Sequence, residues 1–311
     1  MAMNRSEQIK AVFTRYNEEL ARACDAFAAN ISSEEGPTEI EMEEHFEGFS
    51  SFVAAKTEAF WDISIDAAGG DTARHFIETL SFDEMFEAFC IAAQVIDDDS
   101  LPKVLENAVV AYGEPMFDRL LAFVMDAPWK KTEGQAEEDF YMAFLPAGAA
   151  IRLLGKVEYE KAVEPVLRKF CSFPQTEEFV ADSVKVMMVC AGQYSAPLLI
   201  SMLENEADED VSGPYEDLMI MLTHVGRRAR TDAIYAALRA TFRRMKNKVI
   251  AAICIGDYGD VRGIPLLKGY LDRNIKTIDR ELFYESLSSI RRLGGDIKDI
   301  QDPFKDFTAN K

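Results

Sequence analysis

Apolar residues recur at helical spacing along almost the whole chain. Near the start, Ile9, Val12, Phe13, Tyr16 and Leu20 follow one another every three or four positions and fall on one face of a helix. No segment alternates between apolar and polar residues for long enough to predict a strand. The pattern therefore predicts an all-α protein.

Local signals in the first third of the chain predict where helices begin. Ser6 is expected to cap the first helix, and Pro37 to begin the second. Ser81 and Glu84, three residues apart and ahead of an apolar run, form a capping-box pattern. Residues 1–100 are accordingly predicted to form an N-terminal helical region. This region is either a separate domain or a cap on the helices C-terminal to it.

From about residue 100 the helices are predicted to be shorter and to repeat. Glycine recurs at intervals of 42, 37, 34, 30 and 38 residues, which is the range of helical-repeat arrays. Each of these glycines is expected to end a helix in the left-handed conformation that glycine adopts without steric cost. They are Gly113, Gly155, Gly192, Gly226, Gly256 and Gly294.

Several of these glycines precede a polar turn, a proline and paired leucines, as in Ser195-Ala-Pro197-Leu-Leu and Arg262-Gly-Ile-Pro265-Leu-Leu. The segment from Gly256 to Leu267 resembles the turn and second helix of a HEAT repeat of the phycobilisome-lyase-like class, and Ala150 to Leu167 resembles another. The resemblance covers about residues 100–295. It implies an α-α superhelix of helical hairpins over residues 101–300, followed by a tail at 301–311.

Charge is distributed unevenly along the chain. The formal net charge is −20, which argues against general binding to nucleic acid or to an anionic membrane. Residues 227–298 nevertheless carry 16 Lys and Arg against 8 Asp and Glu, which leaves 18 against 46 for the rest. No apolar leader and no uninterrupted apolar span is visible, so a cytoplasmic protein without a membrane segment is expected.

The basic part of the chain predicts one candidate binding surface. Tyr235, Arg239 and Arg243 lie four residues apart and share a helix face. The buried face of that helix is predicted to consist of Ala233, Ile234, Ala237, Leu238 and Phe242. These side chains form either a solvated or internally paired face or a site for an acidic or phosphorylated ligand. The predicted basic strip comprises Tyr235, Arg239, Arg243, Arg244, Arg262 and Lys268.

An acidic segment offers the opposite kind of surface. Between Glu34 and Glu47 there are seven acidic residues and no Lys or Arg. Such a segment can attract a basic protein, although solubility alone also accounts for it. A protein partner is therefore expected, and its identity and the oligomeric state are left open.

No catalytic constellation is predicted. His45, His75 and His224 are too few and too dispersed for the His-Glu pairs with which one HEAT-repeat enzyme family holds two irons. The carboxylate clusters at Asp97–Asp99, Glu137–Asp139 and Glu204–Asp210 are interpreted as solvated loops, and the five widely spaced cysteines as small apolar residues. We therefore expect no catalytic residue, no metal and no cofactor.

Three functions remain after these exclusions. The first is a non-catalytic protein–protein interaction module or scaffold, such as an acidic immunity or adaptor protein that neutralises a basic partner. The second is a binder of phosphate-bearing ligands or nucleic acid through the basic strip. The third is a HEAT-type enzyme, such as a lyase or a glycosylase.

Overall fold

The computed structural model describes residues 3–30, 39–96, 101–205 and 213–306. The predicted all-α class is confirmed: these ranges consist of helices and their connections, with one isolated antiparallel bridge between Ser64 and Thr72. Contacts between Cα atoms divide the chain into two compact units, Met1–Leu153 and Leu154–Lys311. The predicted domain boundary near residue 100 stays a prediction.

The first unit consists of α-helices around a long first helix. Helix α1 packs against α2 and α4, and α5 packs against α3, α4 and α6. A short 3-10 helix, Asp66–Ala68, also contacts α1. The helices are α1 (Arg5–Asn30), α2 (Glu39–Phe60), α3 (Ala73–Glu78), α4 (Phe82–Val95), α5 (Lys103–Ala111), α6 (Glu114–Asp126) and α7 (Glu137–Lys156), the last of which ends beyond the boundary.

Aromatic side chains hold α1 to the end of α2. Tyr16 lies 5.5 Å from Phe60 and 5.2 Å from Trp61, measured between ring centroids, and Phe13 lies 6.5 Å from Trp61. All four side chains are buried. Large rings placed at helical spacing therefore provide most of the apolar contact at this junction.

Of the helix caps predicted in this unit, one is confirmed and one is wrong. Ser81 and Glu84 form the predicted capping box at the start of α4. Helix α1 is capped by Asn4 rather than Ser6, because the Asn4 side chain accepts from the Glu7 amide at 2.9 Å and Glu7 accepts from the Asn4 amide at 2.8 Å. The predicted start of a helix at Pro37 lies outside the described residues.

The second unit stacks helical hairpins in two layers, which is the arrangement of an α-α superhelix. Helices α9, α11, α13 and α15 pack side by side in one layer. In the other layer α10 packs between α8 and α12, while α14 packs against α13 and α15. The helices are α8 (Glu160–Cys171), α9 (Glu178–Cys190), α10 (Gly192–Asn205), α11 (Pro214–Arg228), α12 (Asp232–Arg244), α13 (Lys248–Tyr258), α14 (Gly263–Asn274) and α15 (Arg280–Arg292).

The predicted helix-ending role is wrong for four of the six repeating glycines. Gly155, Gly226 and Gly256 lie inside helices, and Gly192 begins α10. None of the four has a positive φ. The prediction is confirmed for Gly294, which follows α15 with a φ of 82° and donates to Arg291, while the Gly295 amide donates to Ile290. Gly113 also has a positive φ and caps the start of α6. The residue that ends α13 in the left-handed conformation is Gly259, at φ 75°.

Three of the interior glycines are required by close helix contact instead. A methyl group at Gly155 would lie 2.5 Å from Cα of Met187, and one at Gly226 would lie 2.6 Å from the Tyr258 ring. At Gly256 it would lie 2.6 Å from Oγ of Ser289. The repeat that the sequence shows is thus a repeat of helix–helix contacts, in which a missing side chain lets the next helix approach.

No single helix in the described ranges is long and apolar enough to cross a membrane. By length and composition alone, α9 and α10 together meet that criterion, but they are bent by 118° at their junction.

Candidate functional site

The structure places the predicted strip residues Tyr235 and Arg262 in one cluster, in which Tyr235 is buried while Arg262 and its partner Asp232 stay exposed. The Arg262 guanidinium lies 4.2 Å from the centroid of the Tyr235 ring. It donates to Asp232 from Nη1 at 2.8 Å and to both carboxylate oxygens of Asp260. Asp260 accordingly has a lowered pKa, and Tyr235 is buried, with a raised pKa caused by that burial. We call Asp232, Tyr235, Asp260 and Arg262 the Arg262 clasp; it joins α12 to the turn before α14.

Two further strip residues also have partners within the fold. Arg244 donates from Nη2 to the carbonyl oxygen of Leu203 in the last turn of α10. Lys268 donates to Asp299 at 2.8 Å. Four of the six residues in the predicted strip therefore have partners within the fold.

The remaining two residues, Arg239 and Arg243, are exposed on α12. Within the part of the chain that the structure describes, neither forms an ion pair. The structure thus keeps a short basic face where the sequence predicted a strip across two hairpins.

A groove lies in the seam between α10 and α12, and the sequence did not predict it. Its volume is about 1010 Å³, and its lining comes from both helices, from the ends of α9 and α11, and from Glu158. The apolar part of its wall comprises Val189, Cys190, Ala196, Pro197, Ile200, Val225, Ala229, Ala233 and Ile234. We call this cavity the α10 groove.

Polar side chains lie along the edge of the α10 groove. Gln193 donates to the Glu158 carboxylate at 2.8 Å, and Asn205 donates to Ser201 at 3.1 Å. Glu204 and Arg228 also line the cavity. An apolar floor with a few polar groups at its edge is typical of a site for a peptide or another organic ligand.

The helices of the second layer share a register of buried positions. Burial recurs every four residues at Ser195, Leu199 and Leu203 of α10, at Ile234, Leu238 and Phe242 of α12, and at Gly263, Leu267 and Leu271 of α14. Counting from the first buried residue of each set, Ala233 corresponds to Arg262 and Ala196 corresponds to Tyr235.

The two acidic residues of the clasp also have uncharged counterparts in the groove. By the same register, Gln193 corresponds to Asp232 and Thr231 corresponds to Asp260. All four counterparts, Gln193, Ala196, Thr231 and Ala233, line the α10 groove. These four residues therefore occupy, in the wall of the groove, the register positions that the clasp residues occupy one hairpin further along, although α10 packs closely against α12 while α12 makes few contacts with α14.

Glu158 has an unusual backbone at the edge of this groove. Its φ is 51°, a left-handed value that glycine adopts far more readily than glutamate. The Glu158 amide donates to Gly155 and the Tyr159 amide donates to Leu154, both at 2.9 Å, which is the hydrogen-bond pattern of a helix ending that usually carries glycine. A carboxylate is thus present where the backbone favours glycine.

A separate group of titratable side chains surrounds the start of α11. Burial, with a contribution from the neighbouring Glu216, raises the pKa of Asp217 to about 6. Burial also raises the pKa of Glu216 and lowers that of His224. Lys185 lies close enough to Asp217 to oppose part of its shift.

We expect Asp217→Asn to remove a pH dependence of stability. Because the pKa is higher in the folded state than the usual 3.8, the folded chain holds a proton that the unfolded chain has released between about pH 4 and pH 6. The free energy of unfolding should fall as pH rises through this window. At pH 7.5 the variant should be more stable than the wild type by about 1 kcal/mol, a figure reduced for solvent screening of a half-buried group.

Urea unfolding at several pH values measures this effect. The exposed Asp272→Asn is the matched control, and it should reproduce the wild-type profile. A variant Asp217→Asn whose stability still falls between pH 4 and pH 6 as in the wild type would contradict the assignment.

Within the described residues, no group of three or more His, Cys, Asp or Glu side chains is arranged to hold a metal ion. His75 is exposed and lies 3.8 Å from Glu78, while the side chain of His45, the segment Asp97–Asp99 and most of the acidic segment from Glu34 to Glu47 lie outside the description. The cysteines are free thiols; burial raises the pKa of both Cys90 and Cys254 to about 11.

Comparison with known proteins returns no relative. No protein-family model matches the chain, and no match was found among curated proteins or solved structures.

Proposed function

We propose that this protein is a non-catalytic protein-binding module and that the α10 groove is its docking surface. A stack of helical hairpins, as the HEAT resemblance of the sequence implies, presents a long surface whose side chains vary from one repeat to the next. In the described part of that surface, the α10 groove is a cavity whose wall contains apolar side chains of α10 and α12.

The observation that carries this proposal is the pair of alanines in the groove. Ala196 and Ala233 stand where Tyr235 and Arg262 fill the adjacent seam. Small side chains at these two positions leave room between α10 and α12 for a side chain of another protein. The cavity volume of about 1010 Å³ is large enough for several such side chains.

Charge favours a basic partner. The chain carries a net charge of −20, and the groove is lined by the carboxylates of Glu158 and Glu204 against the single cation of Arg228. Opposite charge on a partner accelerates encounter and discriminates against acidic proteins. This supports the subclass of an acidic adaptor or immunity-type protein that neutralises a basic partner.

The alternatives have weaker support. Binding of a phosphate-bearing ligand or of nucleic acid depends on the basic strip, of which Arg239 and Arg243 are the members left exposed and unpaired in the described chain. A HEAT-type lyase or glycosylase needs a cluster of reactive side chains, whereas the described lining of the α10 groove is mainly apolar. We propose that the protein acts in the cytoplasm.

The proposal is tested by changing Ile200, a half-buried residue in the wall of the groove, to lysine. Immobilised wild type and Ile200→Lys are exposed to extract of the native cell, and bound proteins are eluted by a salt step and quantified by mass spectrometry. We expect one basic protein that the wild type retains and the variant retains at least tenfold less, because a buried cation adjoins a basic partner.

Val261→Lys is the matched control for this experiment. Val261 is 66% exposed and lies outside the groove lining, so the variant adds the same charge at a place that should not bind. It should retain the protein as the wild type does. Equal retention by the Ile200→Lys variant would exclude the groove as the docking surface.

A further inference from the structure

The Arg262 clasp shows how this fold holds an arginine of the turn before α14 against side chains of α12. The guanidinium lies over an aromatic ring and is hydrogen-bonded to one carboxylate on the helix before it and one in its own turn. The combination is favourable because a cation over a ring and charge-assisted hydrogen bonds act on the same group. The ring of Tyr235 and the guanidinium of Arg262 both belong to this chain.

In the α10 groove the corresponding acceptors are kept while the two large side chains are absent. Thr231, in the place of Asp260, retains a hydroxyl, and Gln193, in the place of Asp232, retains an amide oxygen. The negative charge is supplied by Glu158, whose carboxylate lies 2.8 Å from the Gln193 amide nitrogen. The groove therefore has acceptors and a counter-charge for a guanidinium, and in its described lining the guanidinium present, that of Arg228, donates to the carbonyl oxygen of Val189.

Glu158 keeps a carboxylate at a backbone position that favours glycine. A glycine at this left-handed position would avoid a cost of about 1 kcal/mol. Conformational strain of this kind is typical of residues that serve a binding site. The hydrogen bond from Gln193 holds the carboxylate at the edge of the groove, where a ligand cation can reach it.

We propose that the α10 groove binds a segment of a basic partner that carries an arginine and an aromatic residue. The arginine occupies the place beside Ala233 and is paired by Glu158, and the aromatic ring occupies the place above Ala196. This inference rests on the proposed function, since it names the chemistry of the partner that the same groove receives. The arginine and the aromatic residue of the partner thus take the roles in the α10 groove that Arg262 and Tyr235 have in the Arg262 clasp.

Random peptides displayed on phage provide the probe for the test. They are selected on the immobilised full chain and counter-selected on Ile200→Lys. We expect the enriched peptides to share an arginine close to an aromatic residue. A synthetic copy of an enriched peptide is then compared with one in which citrulline, which has the shape of arginine without its charge, replaces the arginine.

The affinity of the citrulline peptide for the wild type should be at least tenfold lower. In Glu158→Gln the two peptides should bind within about twofold of each other, because the counter-charge is gone; equal thermal unfolding of this variant and the wild type shows that the fold is kept. Enriched peptides without arginine, or no effect of citrulline, would overturn this inference and leave the groove as the docking surface. If no peptide distinguishes the wild type from Ile200→Lys, the proposed function fails as well.

Discussion

Gly155→Ala should lower the free energy of unfolding of the second unit by about 1 kcal/mol, the net of a steric cost and a helix-propensity gain. The added methyl would lie 2.5 Å from Cα of Met187, which belongs to the backbone of α9 and cannot rotate away. Overpacking of this kind usually costs about 1 to 3 kcal/mol. It opposes a gain of about 1 kcal/mol that alanine provides over glycine inside a helix, so the clash must exceed that gain.

Gly269→Ala is the matched control for this prediction. Gly269 also lies inside a helix, α14, but a methyl there would meet only the end of the flexible Arg273 side chain, at 3.4 Å. Its free energy of unfolding should rise by about 0.5 to 1 kcal/mol. Urea unfolding followed by circular dichroism measures both variants, and a Gly155→Ala variant as stable as Gly269→Ala would show that α7 and α9 do not approach this closely.

Rebuilding the Arg262 clasp in the open seam should abolish partner binding while the fold is kept. The variant combines Gln193→Asp, Ala196→Tyr, Thr231→Asp and Ala233→Arg, so that each groove residue becomes its counterpart in the clasp. Aspartate at position 231 still caps α12, where Thr231 accepts from the Ile234 amide at 3.2 Å. The new arginine would be satisfied internally as Arg262 is, and the groove would be filled.

Affinity for the captured partner should fall more than hundredfold, which corresponds to about 2.7 kcal/mol. The melting temperature should be unchanged or higher, because the new ring and cation replace solvent in the cavity. Val261→Asp, which changes the net charge by the same amount outside the groove, should bind as the wild type does. Undiminished binding by the fourfold variant would exclude the groove, and its unfolding would show that the two seams are not equivalent.

The contrast between the two seams also explains what sequence reasoning missed. Ala233 was predicted to be buried with Ile234, and Tyr235 to be exposed with Arg239, whereas Ala233 is exposed and Tyr235 is buried. The sequence does contain the correspondence: Ala233 and Arg262 each directly precede the first buried residue of their helix. This correspondence can be recognised only when the helices are aligned by their buried residues. The apolar periodicity of a single helix does not provide that alignment.

The repeating glycines illustrate the same limit. Their spacing correctly indicated a repeated unit, but Gly155, Gly226 and Gly256 lie inside helices and serve close contact rather than termination. Termination with a left-handed φ falls to Glu158 after α7, to Gly259 after α13 and, as predicted, to Gly294 after α15. A glycine that ends a helix and one that admits a neighbouring helix are identical in sequence, since both lack a side chain.

The sequence by itself determined the all-α class, many of the helices and the capping box at Ser81. Each of these depends on residues within one or two helical turns, so a local pattern contains the necessary information. Only the tertiary structure decided which charged residues are consumed as internal partners and which seam is left open. Arg262 and Asp232 are thirty residues apart, and whether a basic residue faces solvent or a carboxylate depends on how successive hairpins pack, which no single helix specifies.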